Sequence, residues 1–383
     1  MKIVIAIDSF KGSLSSLEAG EAVKEGFLKV KSNSQIKIFP LADGGEGTTE
    51  ALALGLGGKL IKTQVHDPLM RKITAEYGII ESENLAIMEM AASSGITLVS
   101  EAERDILKAT TYGVGEMIKD AIKRGIRNFI IGIGGSATND CGAGMLQALG
   151  FKLMDKNGSE IPFGASGLKD VYKIDGSKVM KELKEAKFRI ACDVKNPLCG
   201  TNGCSYIYGP QKGATKENIP LMDSYISHFA DVAKIFNSEA DKEFPGTGAA
   251  GGLGFAFKYF LNAELLPGAE IITESIKIEE AIKNADIVIT GEGRLDSQTV
   301  MGKAPSYISA LSKKYSKPCI AFSGCVSNDA NICNEKGIDA FFPILRNVTT
   351  LDEALNKENA FNNLKNTAEQ VMRLMKINIK QIF

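Results

Sequence analysis

"FIIGIGGSATNDCGAGMLQALGFKLMD", residues 129 to 155, is the stretch from which the fold is read. An apolar run, Phe129 to Ile133, enters a knot of Gly, Ser, Thr, Asn and Asp, and leaves as a segment with helical spacing. Strand, glycine turn and helix in that order form the repeating unit of parallel α/β sheets. Gly132, Gly134 and Ala137 also match one form of the dinucleotide fingerprint, with Asp155 closing the next apolar run. The short pattern recurs by chance, so two readings stand side by side. The knot is a nicotinamide dinucleotide site, or it is a backbone cradle for some other anion, with N–H groups offered at the next helix start.

The same rhythm recurs along the chain. Ile3 to Ile7 ends at Asp8, Ile36 to Leu41 ends at Asp43, and Arg189 to Cys192 ends at Asp193. Ile287 to Ile289 runs into Thr290-Gly291-Glu292, and Cys319 to Phe322 into Ser323-Gly324. Helical spacing follows in Leu17 to Val30, Tyr112 to Lys123 and Ser306 to Lys314. Apolar strands alternating with helices predict parallel sheets covered on both faces, with ligands beyond the carboxyl ends of the strands. Asp8, Asp43, Ser136, Asp193 and Glu292 stand at such ends. Residues 156 to 187 are loop-rich, and the region beyond Asp286 repeats the simple rhythm of the first 60 residues. The expected organisation is one discontinuous α/β domain, residues 1–65 with 286–383, and a second α/β domain inserted as residues 66–285.

Composition narrows the chemistry. A chain of 383 residues is long for one domain. A net charge of −1, spread evenly, gives no attraction to nucleic acid or to an acidic membrane. Charge-free stretches such as residues 128–139 are far short of a membrane span, and Asp8 ends the first apolar run before it could serve as a secretory leader. A cytoplasmic location is expected. The seven cysteines form no C-x-x-C pair, and their odd number argues for reduced thiols over a disulfide framework. With only two histidines, His66 and His228, carboxylates and lysines must carry the chemistry. The 39 glycines are about a tenth of the chain, above the usual ~7%.

Six further motifs place polar residues among glycines. "DSFKGSLS" (8–15) offers Asp8, a lysine, Lys11, that can neutralise phosphate or carboxylate oxygens, and Ser13 as a helix cap. "PLADGGEGT" (40–48) sets Asp43 and Glu46 around two glycines, as hard-cation ligands or as an acidic turn. In "ACDVKNPLCG" (191–200), Asp193 is placed to accept a hydroxyl proton. "GPQKGA" (209–214) holds another glycine-flanked lysine, and "PGTGAAGGLG" (245–254) is a second cradle or a close helix contact. "ITGEGRLDSQTVMGKAP" (289–305) gathers Glu292, Arg294, Asp296 and Lys303 on one connection. There is no G-x-x-x-x-G-K-[ST]. Carboxylates for Mg²⁺, basic groups for phosphates and an Asp near a hydroxyl are nevertheless the parts that phosphoryl transfer requires.

Taken in order, "DSFKGSLS", "PLADGGEGT", "GIGGSATNDCGAGML", "ACDVKNPLCG", "GPQKGAT", "GTGAAGGLG" and "DIVITGEGRLDSQTVMGKAP" closely resemble the type-1 glycerate kinase family, from residue 1 to about 345. That resemblance implies a kinase that uses ATP to phosphorylate D-glycerate, usually at the 2-hydroxyl, giving 2-phosphoglycerate and ADP. It also implies a flavodoxin-like doubly wound domain built from both chain ends, with a second α/β domain inserted. Roles then follow from chemistry as expectations. Asp193 orients the attacking hydroxyl and takes its proton, with Asp296 as competitor. Asp43 and Asp296 hold Mg²⁺. Lys11, Arg294 and Lys303 neutralise phosphate or carboxylate oxygens. Gly134, Gly135 and Ser136, with Asp8 and Asn139, line the phosphate or substrate. Two rivals remain: an NAD-dependent dehydrogenase of a small hydroxy acid, and a non-catalytic two-lobed binding protein for a small acid. The oligomeric state is left open.

Overall fold

The computed structural model describes residues 1–41, 47–300 and 302–377. Thirteen strands lie among the described residues. In chain order they are β1 (Lys2–Ile7), β2 (Gln35–Ile38), β3 (Lys59–His66), β4 (Lys72–Ile80), β5 (Leu85–Glu89), β6 (Asn128–Gly132) and β7 (Lys152–Met154). They continue as β8 (Lys173–Asp175), β9 (Lys187–Ala191), β10 (Glu264–Leu266), β11 (Ile287–Leu295), β12 (Cys319–Val326) and β13 (Ala340–Pro343). The chain divides into two units, residues 1–43 with 269–383, and residues 44–268.

In the first unit five strands pair in the order β13-β12-β11-β1-β2, every pair parallel. Counted within the unit, that is the doubly wound order of flavodoxin-like sheets, and its winding reverses between β1 and β11. The uninterrupted apolar run of β1 explains its central place, since Ile3 to Ile7 are all buried on a sheet covered on both faces. Helices Ser16–Leu28 and Lys357–Met375 cover one face, packing Val23, Phe27, Leu364 and Val371 against Ile3, Ile5 and Ile7. Helix Ala304–Lys314 contributes buried Ala304 and Ile308. The first helix is capped by Ser15, not by Ser13 as the sequence led one to expect. Ser15 and Glu18 exchange side-chain and backbone bonds as a capping box. Ser13 is instead held inside a tight turn, where its N–H donates to the Phe10 carbonyl at 2.8 Å.

The second unit has a mixed sheet, β10-β9-β6-β5-β4-β3. β5, β6, β9 and β10 run parallel, while β3–β4 and β4–β5 are antiparallel. Phe129 and Phe188 face each other in the β6–β9 register, with ring centroids 4.8 Å apart, at the centre of its core. β7 pairs only with β8, antiparallel and outside the main sheet.

The sequence boundaries at 65/66 and 285/286 differ from these limits for a physical reason. β3 pairs with β4 along its whole length, which draws the segment before residue 66 into the second sheet. Glu279 bonds Lys314 and Tyr315, at 2.6 and 2.7 Å, which ties the segment before residue 286 to the first unit. No helix among the described residues is long and apolar enough to cross a membrane.

Candidate active site

At the switch point of the first unit, the ends of β1 and β11 border a cavity of about 600 Å³. Asp8 follows β1 directly, only 6% exposed, and its N–H donates to the Gly291 carbonyl at 2.9 Å. Glu292, 8% exposed, accepts the Thr299 hydroxyl at 2.6 Å. Burial pushes its carboxyl above the usual range, against the opposing pull of Thr299 and Lys303. The Lys303 ammonium lies 3.6 Å from Glu292 and 3.9 Å from Asp296, so one cation serves two carboxylates. Arg294 Nε stands 3.5 Å from the other Asp296 oxygen. Asp296 also accepts the Gln298 N–H at 2.9 Å, which fixes the turn that presents it. The cavity is also lined by the apolar side chains of Leu345, Leu351 and Leu355. The structure thus brings together Asp8, Lys11, Arg294, Asp296 and Lys303, and adds Glu292 as their buried partner. Asp43 lies outside the described residues. Among the described residues, no cluster of three or more His, Cys, Asp or Glu is arranged to hold a metal ion.

The glycine knot belongs to the second unit, at the carboxyl edge of its sheet. Gly132 on β6 and Ala191 on β9 are register partners, so Gly134 to Ser136 and Asp193 emerge from neighbouring strands. Gly134 and Gly135 are exposed. Beyond Ser136 the loop is buried, and its expected vacancy for an anion is filled from within. Asp140 is completely buried and accepts N–H bonds from Thr111, Gly142 and Gly144 at 2.8, 3.2 and 3.2 Å. Those are the donors that the helix start was expected to offer a ligand. Burial lifts the Asp140 carboxyl, while these donors pull it down. Asn139, expected to line the phosphate or substrate, is fully buried and donates to Ser205 Oγ at 2.9 Å.

The second glycine run proves to be a close contact. Gly251 has φ +66°, and a Cβ there would stand 2.1 Å from the Thr138 carbonyl. Its own carbonyl accepts the Cys141 N–H at 2.9 Å.

Asp193 is exposed at the end of β9, and one of its carboxylate oxygens accepts the Gly268 N–H at 3.0 Å. Each histidine has one ring nitrogen engaged. His66 Nδ1 pairs with Glu116 at 3.0 Å, and His228 Nε2 lies 2.8 Å from the Val171 carbonyl. Asp155, the acidic partner that a dinucleotide site would need, follows the isolated β7 and accepts the Asn157 and Ser159 N–H groups of its own turn. Lys212, the glycine-flanked lysine of "GPQKGA", was given no role from the sequence. It is 2% exposed, and its ammonium donates to Ser136 Oγ at 2.6 Å and to the Thr138 carbonyl at 2.7 Å. Its flanking glycines were the only sequence signal.

The fold and these clusters define a class: an α/β protein whose two units each turn acidic and basic groups to the carboxyl ends of parallel strands, the place where open α/β folds bind ligands. Comparison with known proteins narrows it. A model described as the Glycerate kinase family matches residues 3–376. The glycerate 2-kinase of Escherichia coli (strain K12) is 45% identical over 380 residues, covering 99% of each chain. The glycerate kinase of Bacillus subtilis (strain 168) is 43% identical, covering 98% of each. A crystal structure assigned to glycerate kinase 2 of Salmonella typhimurium LT2 superposes with a TM-score of 0.92 at 42% identity, covering 100% of both chains. The chain belongs to the glycerate kinase family and is a phosphotransferase. Neither the dehydrogenase nor the non-catalytic binding protein finds support.

Proposed function

We propose that this chain transfers the γ-phosphoryl group of ATP to the 2-hydroxyl of D-glycerate, giving 2-phosphoglycerate and ADP. The observation that carries the reading is the cavity of the first unit, whose lining combines charged groups with apolar side chains. A nucleotide combines the same two characters: its phosphates suit Lys11, Arg294 and Lys303, and its base suits Leu345, Leu351 and Leu355. Mg²⁺ is held in such sites by one or two carboxylates together with substrate phosphates, and Asp296 has the hard oxygens for one of those positions. Asp43 is the further candidate. The metal supplies charge neutralisation at the phosphate oxygens when bound.

In the transfer the glycerate 2-oxygen forms a bond to the γ-phosphorus, and the bond from that phosphorus to the β–γ bridging oxygen breaks. The hydroxyl proton passes to Asp193, a role that its exposed carboxylate at a strand end supports. Gly134, Gly135 and Ser136 offer donors to the acid. All seven cysteines are free, which supports a reducing, cytoplasmic setting.

ATP, Mg²⁺ and D-glycerate with an enolase-coupled readout test the reading. Enolase consumes 2-phosphoglycerate directly, so a signal is expected without added mutase. A signal that requires mutase would move the transfer to the 3-hydroxyl, and absence of ADP release would overturn the reading.

A further inference from the structure

Lys212 is a buried ammonium without an ion-pair partner among the described residues, the Asp140 charge acting on it from beyond ion-pair distance. Its two recorded acceptors, Ser136 Oγ and the Thr138 carbonyl, are neutral. A lysine so deeply buried is ordinarily neutralised by a carboxylate or lost, because desolvating a charge costs several kcal/mol. The nearest acid in its loop, Asp140, is committed to the hydroxyl and N–H groups of Thr111 and to the N–H groups of Gly142 and Gly144. Two more buried oxygens of the same loop, Thr138 Oγ1 and Asn139 Oδ1, have no hydrogen-bond partner. The loop is polar beyond what its own contacts satisfy.

The bond between Lys212 and Ser136 fixes a direction. A lysine ammonium can only donate, so Ser136 Oγ accepts from it at 2.6 Å. The hydroxyl hydrogen of Ser136 must then point to another acceptor, and no other contact of Ser136 Oγ is present among the described residues. Ser136 is 7% exposed and adjoins the exposed backbone of Gly134 and Gly135. A neutral hydroxyl backed by an ammonium is a charge-assisted donor aimed outward.

We propose that Lys212 and Ser136 together read the carboxylate of the acceptor acid: Ser136 donates to a carboxylate oxygen seated over Gly134 and Gly135, and Lys212 supplies the positive charge behind it. The inference rests on the glycerate kinase reading and specifies which part of the substrate this edge of the second unit recognises. Lys212 is a positioning residue, acting through Ser136, and Ser136 is the group that touches substrate. Their task is selection of a hydroxy acid over a plain polyol.

The test uses full-length wild type, Lys212→Met and Ser136→Ala, with D-glycerate binding measured by calorimetry without nucleotide, and ADP binding measured separately. A hydrogen bond to a charged group sets the expected scale, a loss of D-glycerate affinity of about tenfold or more in each variant. ADP affinity stays within about twofold, by the same proposal. In turnover, preference for D-glycerate over glycerol, which lacks the carboxylate, falls by a similar factor in both variants. Ser136→Ala keeps the test decisive if Lys212→Met fails to fold. Unchanged D-glycerate affinity and selectivity in Ser136→Ala would overturn the proposal. So would a loss of ADP affinity in place of D-glycerate affinity, which would make this a phosphate site. A wild type inactive on D-glycerate fails the functional reading itself, and is distinguished by the enolase-coupled assay before any variant is made.

Discussion

Asp193 and Lys212 illustrate what a single side chain can and cannot announce in sequence. Asp193 follows an apolar run and stands where a parallel strand ends, so its exposure at that end was legible from position alone. Replacing it with Asn keeps the shape and removes the proton acceptor. Asp193→Asn is expected to lower kcat by about a hundredfold or more, with the KM for ATP nearly unchanged, and wild-type turnover in that variant would remove it as the base. Lys212 was legible only as a lysine between glycines, because its burial depends on a loop some 75 positions earlier in the chain.

Burial pulls the Lys212 ammonium from its ordinary 10.5 down to about 8. Below pH 8 both folded and unfolded chains carry the proton, and the folded state bears the full cost of the buried charge. Between 8 and 10.5 the unfolded chain binds more protons, so this residue's contribution to stability rises with pH. Of the ionisable groups nearest to it, burial lifts Cys204 to about 11 and raises Asp140 as well. Denaturant unfolding of wild type against Lys212→Met is therefore expected to shift in favour of wild type between pH 7 and 10, by up to about 3 kcal/mol. A pH-independent difference would mean that the ammonium is not desolvated.

Elements were read more reliably than their limits. Helix Tyr112–Lys123 coincides with its sequence spacing, whereas the first helix is capped two residues beyond the expected Ser13, because Phe10 to Leu14 closes on itself first. Ser15→Ala should cost about 1 kcal/mol in thermal or denaturant unfolding, while Ser13→Ala leaves the cap intact. The second glycine run was ambiguous in sequence between a phosphate cradle and a helix contact. Only the approach of Gly251 to the backbone at Thr138 decides for the contact. Gly251→Ala imposes both a left-handed alanine and a 2.1 Å clash. Destabilisation of roughly 2 kcal/mol or more is expected, together with a raised KM for D-glycerate, since the segment it pushes on leads directly to Ser136.

At the scale of the molecule, the α/β class and the pairing of both chain ends in one unit followed from repeated strand–turn–helix rhythm. The boundaries did not, because strand partnership is a long-range fact: nothing local in Lys59–His66 says that it will pair with Lys72–Ile80 and leave the first unit. Cys325 provides a test of which unit takes the nucleotide. It is exposed and lines the cavity of the first unit, while the other six cysteines are buried or half-buried. A thiol reagent should modify one cysteine quickly in the native protein, and ADP should slow that reaction several-fold. Modification of Cys325 at an unchanged rate under saturating ADP would place the nucleotide elsewhere.

The pairing of β1 with β11 also has a bearing on how the protein is made. Lys2 N–H donates to Asp286 at 2.7 Å, a bond between residues 284 positions apart, and Ile3 is the register partner of Ile287. A ribosome adding about 5–20 residues per second leaves β1 without its central neighbour for some tens of seconds. Throughout that interval an uninterrupted apolar strand is exposed on its β11 side. The second unit, encoded wholly between the two halves, can complete its own sheet meanwhile. The nascent chain therefore needs its early strand shielded, by chaperones or by the helix Ser16–Leu28 folding back on it, and slowing of translation downstream of residue 268 should increase aggregation more than slowing upstream of residue 44.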